Sequence, residues 1–119
     1  EEVERWNIVN PNKKAKRSHI EKSLNNNSVP TIAVSDYVKM VSEQVGPYVP
    51  GPYYCLGTDG FGRSDTREGL RSFFEIDRYY IVLTAIKAIV RDGGLEKSAV
   101  GSALKKYKLD PDKPNPVLV

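Results

Sequence analysis

The chain has 119 residues, 39% of them hydrophobic and 28% charged. That balance fits one folded domain, or part of one, and excludes a disordered tail. Its net charge of +3, from 18 basic and 15 acidic residues, is too weak a bias to name a partner.

Cys55 is the only cysteine and His19 the only histidine. An internal disulfide is therefore excluded, and a zinc cluster built within the chain is not expected. The most apolar run, Tyr79 to Val90, is interrupted by Lys87 and too short to cross a bilayer. The sequence opens Glu1-Glu2, with no initiator methionine and no basic-then-apolar leader. This points to a piece of a longer polypeptide.

Residues 1–28 read as a polar, mostly irregular segment. Its basic cluster, Lys13-Lys14-Ala15-Lys16-Arg17, has no interleaved aromatic residue to stack on bases. Pro11 and the Asn25-Asn26-Asn27-Ser28 run flank it, so a helix presenting these charges to a groove is not expected. A solvated surface loop is the better reading, with no nucleic acid as partner.

Residues 29–119 carry a compact pattern. Val29 to Val34 reads as a short buried strand with Pro30 near its start. Ser35 and Asp36 offer an N-cap for a helix carrying Tyr37, Val38, Met40, Val41 and Val45. Gly46, Pro47, Pro50, Gly51 and Pro52 stop it. Tyr53 to Leu56 reads as a second strand that runs into a glycine-rich loop. Asp65 or Thr66 then caps a helix to about Phe74. Asp77 caps a strongly apolar helix, Arg78 to Arg91, which Gly93-Gly94 ends through a left-handed C-cap. Val100, Ala103, Leu104 and Tyr107 give a last amphipathic helix. The tail from Asp110 to Val119 holds three prolines and reads as extended.

Alternating strands and helices predict an α/β layer with parallel strands. Two strands make a poor sheet, and a helix apolar nearly all round needs cover on most sides. The pattern thus reads as a domain lacking its first strands, one that self-associates or buries its strands against a neighbour.

The loop Gly57-Thr58-Asp59-Gly60-Phe61-Gly62-Arg63-Ser64-Asp65 supports two readings. A strand, a glycine turn and a helix N-terminus can aim backbone N–H groups at a phosphate, with Arg63 and Arg67 adding charge. That would make a free-standing anion- or nucleotide-binding module. Neither glycine fingerprint for nucleotides is present, and Asp59 and Asp65 repel an anion. The second reading is a structural or interface loop in which glycines allow a tight turn and Asp and Arg form ion pairs. Arg67/Arg71 and Arg71/Glu75 are four apart on one helix face, where side chains meet. The residue balance favours the structural reading. Cys55 reads as a buried small hydrophobe, and Tyr53-Tyr54 and Tyr79-Tyr80 as core and rim.

The string Leu56-Gly57-Thr58-Asp59-Gly60-Phe61-Gly62-Arg63-Ser64-Asp65-Thr66-Arg67-Glu68, with Leu70-Arg71-x-Phe73-Phe74-Glu75-Ile76-Asp77, resembles the C-terminal domain of the homodimeric, bacterial-type pyruvate dehydrogenases. Those are the thiamine-diphosphate-dependent first components of the pyruvate dehydrogenase complex. Glu4-Arg5-Trp6-Asn7, Ala33-Val34-Ser35-Asp36-Tyr37-Val38-Lys39 and Asp110-x-Asp112-Lys113-x-Asn115-Pro116 resemble the same family. The resemblance implies a three-layer α/β/α, transketolase C-terminal-like domain, truncated at its N-terminus, in a cytoplasmic enzyme. It implies that the parent decarboxylates pyruvate and passes the two-carbon unit to a lipoyl group on the dihydrolipoyl acetyltransferase component. Thiamine diphosphate and magnesium belong to other domains in that family, and no catalytic, cofactor or metal residue carries over to this chain. The implied role is structural: contact with the remainder of the polypeptide and with a second protomer, in a fragment inactive by itself.

Overall fold

The computed structural model describes residues 1–24 and 29–119. The expected division at residue 28 lies outside the described residues.

The N-terminal segment is more ordered than its polarity suggests. Helix α1 spans Glu2–Val9 and α2 spans His19–Ser23. A capping box starts α2: Ser18 accepts the Glu21 N–H, and the Glu21 carboxylate accepts the Ser18 N–H at 2.6 Å. That bond holds the Glu21 carboxyl below its usual range. Between the two helices, Asn7 clamps the backbone of Lys16, donating to its carbonyl at 3.0 Å and accepting its N–H at 2.8 Å. This brings the Lys16 ammonium to 4.1 Å from the Trp6 ring centroid. The basic cluster therefore does have an aromatic neighbour, contributed from α1. Its own lysine already occupies the ring.

Strand β1 (Thr31–Val34) pairs in parallel with β2 (Tyr53–Leu56), with Thr31 opposite Tyr53 and Val34 opposite Leu56. The crossover between them holds α3 (Lys39–Glu43) and a 3₁₀ turn at Gly46–Tyr48. A parallel pair needs such a crossover, because a tight turn cannot return the chain to the same end. Tyr53 on β2 donates its hydroxyl to the Ser42 carbonyl at 2.7 Å, which pins α3 to the sheet.

Helix α3 is shorter than its apolar pattern predicts. Ser35 does not cap it. Its hydroxyl instead accepts the Tyr37 N–H at 2.9 Å in a local turn, and Val38 is extended at φ −60°, ψ 142°.

Beyond β2 lie α4 (Arg67–Phe73), α5 (Arg78–Arg91) and α6 (Ser98–Lys106). Thr66 caps α4, and Asp77 caps α5 by accepting from the Tyr79 and Tyr80 N–H groups. The α5 C-terminus closes as a Schellman motif: Gly93 sits at φ +82°, with Gly93 N–H bonded to Val90 O and Gly94 N–H to Ile89 O. Helix α5 packs on α6 and on β1, and Tyr79 meets Tyr107 with ring centroids 5.3 Å apart. The tail is not simply extended; it turns at Pro111-Asp112 and ends in a 3₁₀ turn, Pro116–Leu118.

The architecture is α/β, with a two-stranded parallel sheet among the described residues. Its interior is small. Ile76, Ala88 and Ala103 are the buried hydrophobic residues, while Val82 and Ile89 on α5 are 38% and 39% exposed. Cys55 is only partly buried. The accessible surface is 8906 Å², where a compact monomer of this mass would show about 6,500 Å². The radius of gyration is 17.6 Å, against about 13.5 Å for a compact chain of this length. Exposed large apolar side chains occur along the described chain, from Ile8 and Val9 on α1 through Val34 on β1 and Val82 and Ile89 on α5 to Val117 and Leu118 in the tail. No described helix is long and apolar enough to span a membrane.

Candidate functional site

The glycine-rich loop leaves β2 and immediately folds back over the β1–α3 connection. Gly57 is buried, and a Cβ there would lie 2.5 Å from Tyr37 O and 2.9 Å from Lys39 N. Only glycine permits that approach. Next to it, Thr58 donates its N–H to Tyr37 O at 2.9 Å and its hydroxyl to Asp36 O at 3.2 Å. Asp59 accepts the Lys39 N–H at 2.9 Å. The loop thus takes up the backbone groups of Asp36, Tyr37 and Lys39. This is why α3 starts late: its first turn is held in an extended form by bonds to the loop.

The second half of the loop faces α4 and the tail. Gly60 has φ +116°, and a Cβ there would meet Pro116 O at 2.6 Å. Phe61 at the tip is 75% exposed. Nothing lies within 4 Å of the Cβ position at Gly62. Arg63 places its guanidinium 3.9 Å from the Phe73 ring centroid, a close cation–π contact. Ser64 is exposed. Asp65 accepts the Thr66 N–H at 2.7 Å, and Thr66 accepts the Gly69 N–H at 3.1 Å.

This geometry does not support the anion-binding reading. The N–H groups of Thr58, Thr66 and Gly69 are already bonded within the chain, and Arg63 is stacked on Phe73. Arg67 and Arg71 line an open cleft of about 790 Å³ beside the end of β1. Asp36, Glu68 and Asp77 line it too, and Arg71 pairs with Asp36 at 3.6 Å. Carboxylates thus offset the arginines, and the cleft has no preference for a negative ligand.

The expected ion pairing is present, with different partners. Arg71 reaches Asp36 on the β1–α3 connection rather than Glu75. Glu75 lies beyond the helix at φ +61°, off the α4 face, and pairs with Lys113 at 3.5 Å. The sequence pattern missed Phe73, Lys113 and Pro116 as loop partners. They had one signal: Phe73 and Lys113-x-Asn115-Pro116 lie in the strings that carry the family resemblance.

Thiamine diphosphate with magnesium does not fit these residues. Among the described residues no group of three His, Cys, Asp or Glu side chains could hold a metal ion. The loop carboxylates Asp59 and Asp65 are engaged with backbone N–H groups. His19, at the start of α2, has the Ser23 hydroxyl 3.4 Å away.

The loop lies within the region that a known family matches. The family profile described as the transketolase-like TK C-terminal domain matches residues 6–77, more than half of the chain. The chain is 52% identical over 118 residues to the pyruvate dehydrogenase E1 component of Cupriavidus necator, covering 99% of this chain and 13% of that protein. It is 47% identical over 116 residues to the protein of that name from Pseudomonas aeruginosa, covering 97% of this chain and 13% of that protein. For the Escherichia coli protein of that name the identity is 42% over 119 residues, covering 99% and 13%. The chain therefore spans about an eighth of the length of the curated relatives it matches. The chain belongs to the transketolase-like C-terminal domain family.

Proposed function

We propose that the chain serves as a structural C-terminal portion of a pyruvate dehydrogenase E1 component, acetyl-transferring, and performs no chemistry by itself. The supporting observation is the loop Gly57–Arg67. Its polar groups bond to Asp36, Tyr37, Lys39 and the start of α4, and Arg63 rests on Phe73. A loop so engaged organises its own domain rather than a substrate. In this reading thiamine diphosphate and magnesium, pyruvate decarboxylation and transfer of the two-carbon unit to the lipoyl-bearing acetyltransferase belong to the rest of a cytoplasmic polypeptide. The apolar surface left open on α5 and the sheet meets that polypeptide and a second protomer.

Titration calorimetry with thiamine diphosphate and magnesium should give no heat of binding for this chain. Mixing it with the remaining polypeptide of a relative, expressed separately, should give a stable complex by size exclusion. Tight cofactor binding by the chain alone would overturn the proposal, as would failure to associate.

A further inference from the structure

We propose that the tail from Asp110 to Val119 is a strap, in which Lys113 locks the Gly57–Arg63 loop to the end of α4 and Glu75 is the positioning residue for that lock.

The Lys113 ammonium donates to Ser72 O at 3.0 Å and Phe73 O at 2.7 Å, and meets Glu75 Oε1 at 3.5 Å. Three N–H groups meet three acceptors, which fixes the ammonium in direction as well as place. Two of these acceptors are the last carbonyls of α4, where the helix dipole is negative and a cation is favoured. Ordinarily a residue on the same helix or solvent fills that position. Here the cation arrives from about forty residues further along the chain.

Glu75 supports the same conclusion. It occupies the left-handed position that closes α4, with φ +61°. Its N–H bonds to Ser72 O, and the following Ile76 N–H bonds to Arg71 O at 2.9 Å, a Schellman closure. Glycine is the residue that adopts this conformation without strain. A glutamate there presents a carboxylate, and that carboxylate meets Lys113.

The lock extends to the loop through Phe73. Its ring carries the Arg63 guanidinium at 3.9 Å and the Lys113 ammonium at 5.5 Å, and Lys113 is also 5.4 Å from the Tyr80 ring on α5. Further along the tail, Asn115 accepts the Val117 N–H and shapes the last turn. Pro116 is buried there, its carbonyl filling the space left by the missing side chain of Gly60. Thus α4, α5 and the tail converge on one lysine, and the loop joins them through Arg63 on the Phe73 ring and Gly60 against Pro116.

Hydrogen–deuterium exchange on the full chain tests the strap. In Lys113→Met, amides of the 57–63 loop and the 113–119 tail should exchange at least tenfold faster, with β1 and α6 unchanged. Lys113→Arg should recover part of the protection by keeping the charge. Unchanged loop exchange in Lys113→Met, or a uniform rise across the whole chain, would overturn the proposal. Glu75→Gly relieves the left-handed strain and so keeps the fold intact even if Lys113→Met does not. It should speed tail exchange without lowering the thermal midpoint. Tail protection equal to wild type in Glu75→Gly would remove Glu75 from the lock.

Discussion

The carboxylate of Asp59 accepts the backbone N–H of Lys39 at 2.9 Å, across twenty residues of chain. A loop after the second strand thereby caps the helix after the first. The bond belongs to the charge-assisted class, stronger than a neutral amide pair. Asp59→Ala should cost about 1–2 kcal/mol, in the range of lost N-caps. Asp59→Asn keeps an acceptor and should cost well under half of that. Urea denaturation followed by circular dichroism measures both. Equal losses in the two variants would show that the negative charge, rather than the acceptor, carries the bond.

Two glycines in the same loop should respond very differently to alanine. At Gly57 the new methyl would meet backbone atoms of Tyr37 and Lys39 that cannot move without breaking the Thr58 and Asp59 bonds. Gly57→Ala should destabilise by more than about 2 kcal/mol, as strained and overpacked sites do. Gly62→Ala places its methyl in open space and should stay within about 0.5 kcal/mol of wild type. The comparison needs only soluble yield and thermal melts of the two proteins.

Asp77 accepts the N–H groups of Tyr79 and Tyr80 at 3.1 and 3.0 Å. Asp77→Ala should lower stability by about 1 kcal/mol, or roughly 4 °C in melting temperature for a domain of this size. Asp77→Ser restores an accepting oxygen and should recover most of the loss. A serine variant as unstable as the alanine one would place the effect elsewhere than in the cap.

Tyr53 supplies a pH dependence. Burial, then its neighbours Cys55 and Glu43, push its phenol up to about 12 from the ordinary 10.0. The fold therefore favours the neutral phenol over the phenolate. Its contribution to stability is complete below pH about 10, the unfolded value, and is lost as pH rises from there towards about 12. Tyrosinate absorbance should show one component of the seven tyrosines titrating last, and Tyr53→Phe should remove it. A titration that finishes with no component above pH about 11 would contradict this assignment.

The apolar positions left open on α5 are the expected contact for association in solution. Val82 and Ile89 are both a little over a third exposed, and a spacing of seven brings them to one side of the helix. Multi-angle light scattering should detect concentration-dependent association, and Val82→Lys should weaken it several-fold. Equal association by the lysine variant would move the contact to another face.

Much of this fold is legible because its signals are local. Tyr53 to Leu56 between turn residues, Asp77 before an apolar run and Gly93-Gly94 after it each act within a few residues. Their strand, cap and Schellman closure appear where the sequence places them. The N-terminal helices were missed for a different reason. Their polarity hides them, although Ser18-x-x-Glu21 is a readable capping box. Helix α3 was overextended because its pattern is helical while its first backbone groups are claimed by Thr58 and Asp59. The loop was legible as important and illegible in role. Arg63 looks free in sequence, and its partner Phe73 is recognised only once α4 has turned back beneath it.

The close approach of Gly60 to Pro116 has a consequence for how this family can vary. The carbonyl of residue 116 stands where a side chain at residue 60 would begin. Every residue type carries that carbonyl, so the constraint falls on residue 60 and on the path of the tail, not on the side chain at 116. A relative that gains a side chain at residue 60 must reroute its tail, and a relative that shortens its tail releases the constraint. Glycine at this position is thus a mark of the tail's path, readable in sequences for which no coordinates exist.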